Sequence, residues 1–156
     1  MKLTILAVGH KLPDWVAAGC SEYIKRMPRE LPLTVLEIKP EPRGTKTREQ
    51  LLSAEKTRLQ AALQGFSRIV VLDERGEDLT TLKLAQRLES WMREGGDTAF
   101  IIGGADGVDA EIKDCADTMI RLSSLTLPHA MARLVLCEQL YRAHSVVRNH
   151  PYHREG

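Results

Sequence analysis

The carboxyl end of the chain carries chemical groups that suit nucleic-acid chemistry. Residues 150–154 (HPYHR) include two imidazoles, a phenol ring and a guanidinium. An aromatic ring can stack on a base, a guanidinium can pair with phosphate, and an imidazole can accept a proton near neutral pH. The alternative is an unstructured terminus, although Pro151 and the adjacent Tyr152 favour an ordered tail.

Two loops that precede this tail have compositions that suit a small ligand. Gly103, Gly104 and Gly107 follow an apolar strand pattern, and glycines let a backbone approach a flat ligand closely. Residues 122–127 (LSSLTL) offer three hydroxyls among apolar side chains, a mixture that suits adenine and ribose. Considered separately, the glycines more often form a tight turn, and a loop rich in Ser and Thr is usually only a loop. The first strand ends in one glycine, Gly9, so the dinucleotide-binding fingerprint is absent.

Other patterns with catalytic or metal-binding potential are weak. Cys20, Cys115 and Cys137 show no CxxC spacing, which predicts reduced, structural thiols. No cluster of His, Cys and carboxylate residues has the spacing of a metal site, and no Ser or Cys lies in a nucleophile motif. Asp73 and Glu74 could form an acid pair, although exposed loop carboxylates are commoner.

Length and charge bound the class of protein. A chain of 156 residues favours one domain, residues 1–156. No apolar stretch approaches the ~20 residues of a membrane span, and no signal-peptide pattern is present, so we expect a cytoplasmic protein. The net charge of +1 argues against a protein that is basic throughout. From Arg133 onward, however, four Arg and three His stand against two Glu, and a local basic end can bind phosphate.

These residues must be positioned by strands and helices, and apolar strand patterns alternate with helical ones along the chain. Strands are predicted at residues 2–9, 33–38, 68–72, 98–102 and 119–122, and helices begin near residues 13, 47, 80, 109 and 128. Continuously apolar strands predict an α/β fold, a parallel sheet sandwiched by helices. Ligands bind such sheets beyond the carboxyl ends of the strands, here at residues 72–76, 102–107 and 122–127.

Four helix and loop features carry further expectations. Leu134-Val135-Leu136-Cys137 is apolar on every side of the final helix, which favours burial against both the sheet and a second subunit; the alternative is a helix sunk in its own core. His129, at the start of this helix, is expected to cap or pack. In the first helix, Trp15, Val16, Ala18, Tyr23 and Ile24 are expected on the buried face. Residues 39–46 are expected to form an exposed loop.

Taken together, the sequence resembles the SPOUT-class ribosomal RNA large-subunit methyltransferase H family. The resemblance covers essentially the whole chain and is most specific in its last third. It rests on Ala7-Val8-Gly9, Asp14-Trp15, Glu22-Tyr23, Leu72-Asp73, Ile102-Gly103-Gly104 with Gly107, Leu125-Thr126-Leu127-Pro128-His129, Arg133, Glu138-Gln139-Leu140-Tyr141-Arg142-Ala143 and Asn149-His150-Pro151-Tyr152-His153-Arg154.

The resemblance implies an α/β fold with a C-terminal trefoil knot whose loops hold S-adenosylmethionine. By position, the cofactor-binding residues are Leu72, Asp73, Gly103, Gly104, Leu122, Ser123, Ser124, Leu125, Thr126 and Leu127. The resemblance also implies a homodimer in which the partner's tail completes the pocket. Its implied substrate is 23S rRNA in the assembled ribosome, methylated at N3 of a pseudouridine without a metal.

Residue chemistry suggests roles for the tail and the final helix in that reaction. His153 is expected to accept the N3 proton, and Tyr152 to stack on the base. Arg142 and Arg154 are expected to bind phosphate or to stabilise the deprotonated ring. The alternatives are a non-catalytic ribosome-binding factor with the same fold, or a nucleotide-binding α/β enzyme that acts on a small molecule.

Overall fold

The computed structural model describes residues 1–9 and 11–154. The strands in this part of the chain are β1 (Leu3–Val8), β2 (Leu33–Ile38), β3 (Arg68–Asp78), β4 (Thr98–Ile102) and β5 (Thr118–Arg121). The helices are α1 (Asp14–Arg26), α2 (Arg48–Ala62), α3 (Thr81–Glu94), α4 (Ala110–Cys115) and α5 (His129–Val147). The predicted alternation of strands and helices is therefore confirmed.

The strands form one parallel sheet in the order β2-β1-β4-β3-β5. Leu72 near the middle of β3 is in register with Ile102 at the end of β4 and with Ile120 in β5. On the other side of β4, Ala7 of β1 is also in register with Ile102. Because parallel strands all end at the same edge, the segments that follow β1, β4 and β5 emerge close to the middle of β3.

Helices cover both faces of the sheet, as the apolar strands predict. Side chains alternate along a strand, so Leu3 and Ile5 of β1 enter one core while Leu6 and Val8 enter the other. The first core includes Val16 of α1, Leu88 of α3 and Leu136 of α5, and the second includes Leu59 of α2 and Ile112 of α4. The expected α/β sandwich is confirmed.

Strand β3 differs from its prediction, because it continues to Asp78 and does not end at Leu72. Both Leu72 and Glu77 are in register with Ile120, and the ladder is irregular between them. Residues 73–76 therefore bulge out of the sheet before pairing resumes. An ion pair between Asp78 and Arg121, with Nε 2.7 Å from Oδ1, fastens the resumed strand to β5. This segment is polar, so hydrophobic periodicity gave no sign of it.

The buried face of α1 was predicted only in part. Val16 and Cys20 are buried and lie four residues apart, one turn of helix. Tyr23 and Ile24 are half-buried beside them, whereas Trp15 is 65% exposed and Ala18 is also exposed. Trp15 lies one residue before Val16 and therefore about 100° around the helix from the buried stripe.

Helix α5 is covered by α1 and α3 as well as by the sheet. Leu136 and Cys137 are buried, but Leu134 and Val135 are only half-buried. Within the described chain, the apolar run is therefore partly explained by packing between two helices. Leu134 and Val135 stay half-buried, and the second subunit expected to cover this helix stays a prediction.

Gly76, in the bulged part of β3, passes against the backbone of β5. A Cβ atom at this position would lie 2.6 Å from the carbonyl carbon of Ile120 and 2.7 Å from its nitrogen. Backbone atoms cannot move aside as a flexible side chain can, so any larger residue must separate β3 from β5.

We therefore expect Gly76→Ala to lower the free energy of unfolding by about 1–3 kcal/mol, the range for overpacked sites. Chemical denaturation measures this change. The matched control is Arg75→Ala at the neighbouring exposed residue, for which we expect a change within about 0.5 kcal/mol. Equal stabilities of Gly76→Ala and the unaltered protein would contradict the proposed crowding.

Candidate functional site

A pocket of about 1430 Å³ opens at the edge where β1, β4 and β5 end and β3 bulges. All ten residues expected to bind a cofactor line it: Leu72, Asp73, Gly103, Gly104, Leu122, Ser123, Ser124, Leu125, Thr126 and Leu127. They come from three segments that are well separated in sequence. Their functional role stays a prediction, but the parallel sheet brings them to one concave surface, which is larger than the roughly 300–1,000 Å³ of a typical small-molecule site.

The glycine turn at residues 103–107 is both a tight turn and a wall of this pocket. The Gly107 N–H donates to the Gly104 carbonyl over 3.0 Å, and Gly107 has a φ of +84°. A Cβ atom on Gly103 would lie 2.6 Å from the carbonyl carbon and oxygen of Gly107. The two interpretations of the glycine pattern are therefore compatible, since the tight turn leaves backbone groups at the pocket surface.

Asp73 differs from the commoner alternative expected for it, an exposed loop carboxylate. Its side chain is only 12% exposed, and Oδ2 lies 2.7 Å from Nζ of Lys113 on α4. Its Oδ1 accepts the backbone N–H of Arg75 over 2.8 Å. Burial opposes ionisation, but the hydrogen bonds and charges of Lys113 and Arg75 outweigh it, so the pKa of Asp73 lies below its usual value. The pocket therefore holds a fixed anion.

The loop at residues 122–127 presents an apolar side chain at the pocket rim. Leu125 is 75% exposed, and its backbone N–H donates to Oγ of Ser123 over 2.9 Å. The short local bond fixes the turn and directs the loop backbone along the pocket. An exposed leucine beside hydroxyl groups is consistent with the mixture expected to hold an adenosine.

Residues 39–46 are exposed as predicted except for Pro40 and Glu41, which are half-buried, and the loop also reaches across the glycine turn. Nη2 of Arg43 lies 2.6 Å from Oδ2 of Asp106. Arg48, in the first turn of α2, donates to the Asp106 carbonyl over 3.0 Å. Buried Glu55 of α2 accepts the N–H of Glu41 over 3.0 Å. The loop is thus a second wall of the pocket, a role that its composition did not indicate.

His129 lines the pocket, and its main contacts differ from the capping or packing role expected from the sequence. Pro128, not His129, is the N-cap of α5. Nδ1 of His129 is 3.1 Å from the Gly103 carbonyl oxygen, and Nε2 accepts Nε–H of Arg133 over 2.8 Å. Arg133 is 1% exposed and also donates to Glu37 of β2 over 3.1 Å. The spacing of His129 and Arg133 by one helical turn was a usable signal, but nothing in the sequence indicated Gly103 or Glu37 as partners.

The predicted catalytic residues form a second cluster at the other end of α5. The rings of Tyr152 and Tyr141 are 4.7 Å apart between centroids, and Tyr23 of α1 lies 6.4 Å from Tyr152. The Arg142 guanidinium is 4.7 Å from the centre of the Tyr152 ring. Nη1 of Arg142 is 3.3 Å from Nδ1 of His153. The structure therefore brings together three of the four predicted residues.

The fourth predicted residue, Arg154, is exposed. We name these aromatic and charged residues the C-terminal cluster: Tyr23, Glu138, Tyr141, Arg142, Tyr152 and His153. Glu138 was not singled out for a role by the sequence, although its spacing of four residues from Arg142 is typical of a helical ion pair. Its Oε2 accepts Nε–H of Arg142 over 2.9 Å and the Tyr152 hydroxyl over 2.8 Å.

The protonation state of Tyr152 follows from this packing. Burial, together with hydrogen bonds to Tyr23 and Glu138 and the charge of Glu138, raises the pKa of Tyr152 above its usual value. Tyr152 is therefore a neutral phenol at physiological pH. Its ring can stack, but its hydroxyl is a poor candidate for a proton acceptor.

The C-terminal cluster and the pocket are separate within one chain. None of Arg142, Tyr152, His153 and Arg154 is among the described residues that line the pocket. His129 lines the pocket, and Arg142 follows thirteen residues later on the same helix, which corresponds to about 20 Å along its axis. The predicted cofactor site and the predicted catalytic residues therefore lie toward opposite ends of α5.

Glu138 should hold the tail in place, and Glu138→Gln tests this. Loss of the carboxylate weakens two charge-assisted hydrogen bonds, so we expect residues 150–154 to exchange backbone hydrogen faster by roughly fivefold or more. Hydrogen exchange followed by mass spectrometry measures this. Glu89→Gln on α3 is the control, because Glu89 also pairs with an arginine one turn away but lies outside the cluster. Unchanged exchange in Glu138→Gln would show that the aromatic packing alone holds the tail.

The described residues show two further absences. None of their helices combines the length and apolar character that a membrane span requires. Nor do three of their His, Cys, Asp or Glu side chains gather where they could hold a metal ion.

Comparison with known proteins agrees with the resemblance. The family described as "Predicted SPOUT methyltransferase" matches residues 1–153. A protein of Dechloromonas aromatica named ribosomal RNA large subunit methyltransferase H is 70% identical over 156 residues, covering 100% of both chains. A protein of Paraburkholderia xenovorans with the same name is 58% identical over 155 residues, covering 99% of both chains.

Solved structures show the same fold at low sequence identity. A methylase family protein of Haemophilus influenzae aligns with a TM-score of 0.57 and 14% identity, over 99% of this chain and 70% of that one. A methylase family protein from Neisseria gonorrhoeae aligns with a TM-score of 0.57 and 15% identity, over 99% of this chain and 86% of that one. The shared fold implies the C-terminal trefoil knot expected from the resemblance. By the extent of the family match and the identity of these relatives, the chain belongs to the SPOUT methyltransferase family.

Proposed function

We propose that the protein transfers a methyl group from S-adenosylmethionine to N3 of a pseudouridine in the 23S rRNA of the assembled ribosome. The observation that carries the proposal is the shared pocket, in which all ten residues expected to bind the cofactor meet at one edge of the sheet. The names of the close relatives support ribosomal RNA as the substrate. A ribosomal substrate also makes the cytoplasm the expected location, and the whole chain acts as one catalytic domain.

The residues of the pocket fit S-adenosylmethionine in chemical character. Leu72, Leu122 and Leu125 offer apolar surface for the adenine ring, while the glycine turn offers backbone hydrogen-bonding groups. The carboxylate of Asp73, ionised and paired with Lys113, is held at the pocket wall, where it can accept a further hydrogen bond from a ligand. When bound, the cofactor supplies an electrophilic methyl group on a sulfonium; the sulfur would leave as a neutral thioether, which requires no metal. The remaining task of the protein is to hold the acceptor in line with that methyl group.

The C-terminal cluster has the groups needed on the RNA side. N3 of the pseudouridine must lose a proton, and His153 is the proposed acceptor; because Nδ1 of His153 faces the Arg142 guanidinium over 3.3 Å, it must leave that contact to take the proton. Tyr152, kept neutral by its surroundings, presents a ring for stacking on the base. Arg142 and the exposed Arg154 supply positive charge to phosphate or to the deprotonated base.

The separation of pocket and cluster supports a homodimer. A helix length of about 20 Å lies between them in one chain, so the tail of one subunit serves the pocket of the other. Trp15, which is 65% exposed on α1, and the half-buried Leu134 and Val135 on α5 offer apolar surface for such an association.

The decisive assay incubates the protein with labelled S-adenosylmethionine and ribosomes that lack the modification, and locates the methylated nucleotide by mass spectrometry. Label at N3 of one pseudouridine in 23S rRNA is the expected result. Ribosome binding without methyl transfer would instead indicate a non-catalytic ribosome-binding factor.

His153→Ala tests the proton acceptor in the same assay. Removal of a general base costs about 10²–10⁴-fold in rate, so we expect turnover to fall within this range. Calorimetric binding of S-adenosylmethionine should stay normal, because His153 is not among the ten residues proposed to bind the cofactor. Undiminished turnover would eliminate His153 as the acceptor.

Gly103→Val tests the cofactor pocket. The added side chain would overlap the Gly107 backbone and deform the turn, so we expect no measurable heat of S-adenosylmethionine binding. Thermal unfolding of the variant serves as the folding control. Normal binding by a folded Gly103→Val protein would refute the assignment of this pocket.

A further inference from the structure

We infer that His129 is a positioning residue for the cofactor, held by Arg133 in one tautomer so that its Nδ1–H fixes the Gly103–Gly104 peptide. The inference rests on the proposed function, because it concerns the pocket proposed to bind S-adenosylmethionine. His129 itself lines that pocket and is 3.1 Å from the Gly103 carbonyl oxygen. It therefore connects the first turn of α5 to the glycine turn that follows β4.

The tautomer of His129 follows from its partners. A guanidinium has donors and no acceptors, so the 2.8 Å contact from Nε of Arg133 requires a lone pair on Nε2 of His129. In the neutral imidazole the other nitrogen then carries the hydrogen. Nδ1 must therefore donate to the Gly103 carbonyl, which is an acceptor only.

The burial of Arg133 argues that this arrangement is more than incidental packing. Its side chain is 1% exposed and ion-paired with the half-exposed Glu37 of β2 over 3.1 Å. Burial of a guanidinium costs several kcal/mol unless it is well paired. The protein thus places a cation in its interior where that cation can fix the imidazole.

The chain just after β1 also leaves room for the side chains of His129 and Arg133, because residue 9 is a glycine. A Cβ atom on Gly9, just beyond β1, would lie 3.0 Å from Nε2 of His129 and 3.1 Å from Nη2 of Arg133. A larger residue at Gly9 would therefore crowd the contact between the imidazole and the guanidinium. The hydrogen-bonded chain runs from Glu37 through Arg133 and His129 to Gly103.

The peptide that His129 fixes is at the pocket wall. The Gly103–Gly104 peptide is planar, so holding its carbonyl oxygen also sets the direction of the Gly104 N–H. Glycine has little intrinsic preference among backbone conformations, so the Gly103–Gly104 peptide depends on a contact of its own, in addition to the Gly107–Gly104 hydrogen bond that closes the turn. His129 provides that contact before any ligand arrives, which lowers the ordering cost of binding.

Protonation of His129 would break this chain of contacts. Among the described residues, the charged groups that face it are Arg133 on its own helix and Glu37 on β2, while the turn after β4 presents the Gly103 carbonyl. Burial and the charge of Arg133 lower the pKa of His129 below its usual value, against the smaller effects of Gly103 and Glu37. A proton forced onto Nε2 at acidic pH would face the Arg133 guanidinium and displace it.

Two amide variants separate the two contacts of the ring. In His129→Asn the amide nitrogen stands near the place of Nδ1, so it can still donate to Gly103. In His129→Gln the amide reaches the place of Nε2, so it can accept from Arg133 but leaves Gly103 without its donor. His144→Asn is the control, because His144 is a buried histidine on the same helix that does not line the pocket.

We expect calorimetry with S-adenosylmethionine at pH 7.5 to give a Kd raised about tenfold in His129→Gln, as for one lost buried hydrogen bond. His129→Asn and His144→Asn should stay within about threefold of the unaltered protein. As the pH falls from 7.5 to below the usual pKa of histidine, the Kd of the unaltered protein should rise, whereas that of His129→Asn should rise less, since the amide does not titrate.

Hydrogen exchange of residues 103–107 without cofactor gives a second measurement that needs no ligand. Exchange should be faster in His129→Gln than in His129→Asn. Equal Kd values and equal exchange in these two variants would overturn the inference. If the unaltered protein bound no S-adenosylmethionine, the proposed function would fail, while the exchange data would still decide whether His129 holds the turn. If His129→Gln did not fold, the pH dependence of the unaltered protein against His129→Asn would decide the question.

Discussion

The pocket depends on the parallel pairing of β4 with both β1 and β3. This pairing puts Ala7, Leu72 and Ile102 side by side, so that segments far apart in sequence converge on one edge. Neighbouring strands in a sheet are only about 4.8 Å apart. Side chains on the segments that leave three adjacent strands would therefore obstruct one another. Glycine relieves this crowding where β4 ends, because a Cβ atom on Gly104 would lie 3.3 Å from Cγ1 of Val8 in β1.

Elements with strong local signals could be predicted from the sequence, and those fixed by distant contacts could not. The capping box at Thr47 and Gln50 is present at the start of α2, and Gly95 ends α3 with a positive φ, because both signals act within a few residues. The extension of β3 depends on pairing with β5 and on the ion pair of Asp78 with Arg121. No pattern within β3 encodes that pairing.

The candidate site likewise has parts that could be predicted from the sequence and parts that could not. Its loops were located because parallel strands must end at a common edge, and its tail because aromatic and basic residues concentrate there. The contacts that organise it join residues far apart along the chain: Arg133 with Glu37, and Tyr152 with Tyr23. A single sequence contains no signal for such pairs beyond the helical spacing of Arg133 from His129 and of Arg142 from Glu138.

The length of α5 has a consequence for the kinetics of the protein. Under the proposed arrangement, each pocket can take up its cofactor alone, but methyl transfer needs a tail that its own chain holds about 20 Å away along the helix. Cofactor uptake would then be first order in protein at every dilution, whereas turnover would become second order once subunits separate. Mutation of one subunit's tail and the other's pocket would leave one intact composite site per mixed dimer, so two defective chains would complement each other.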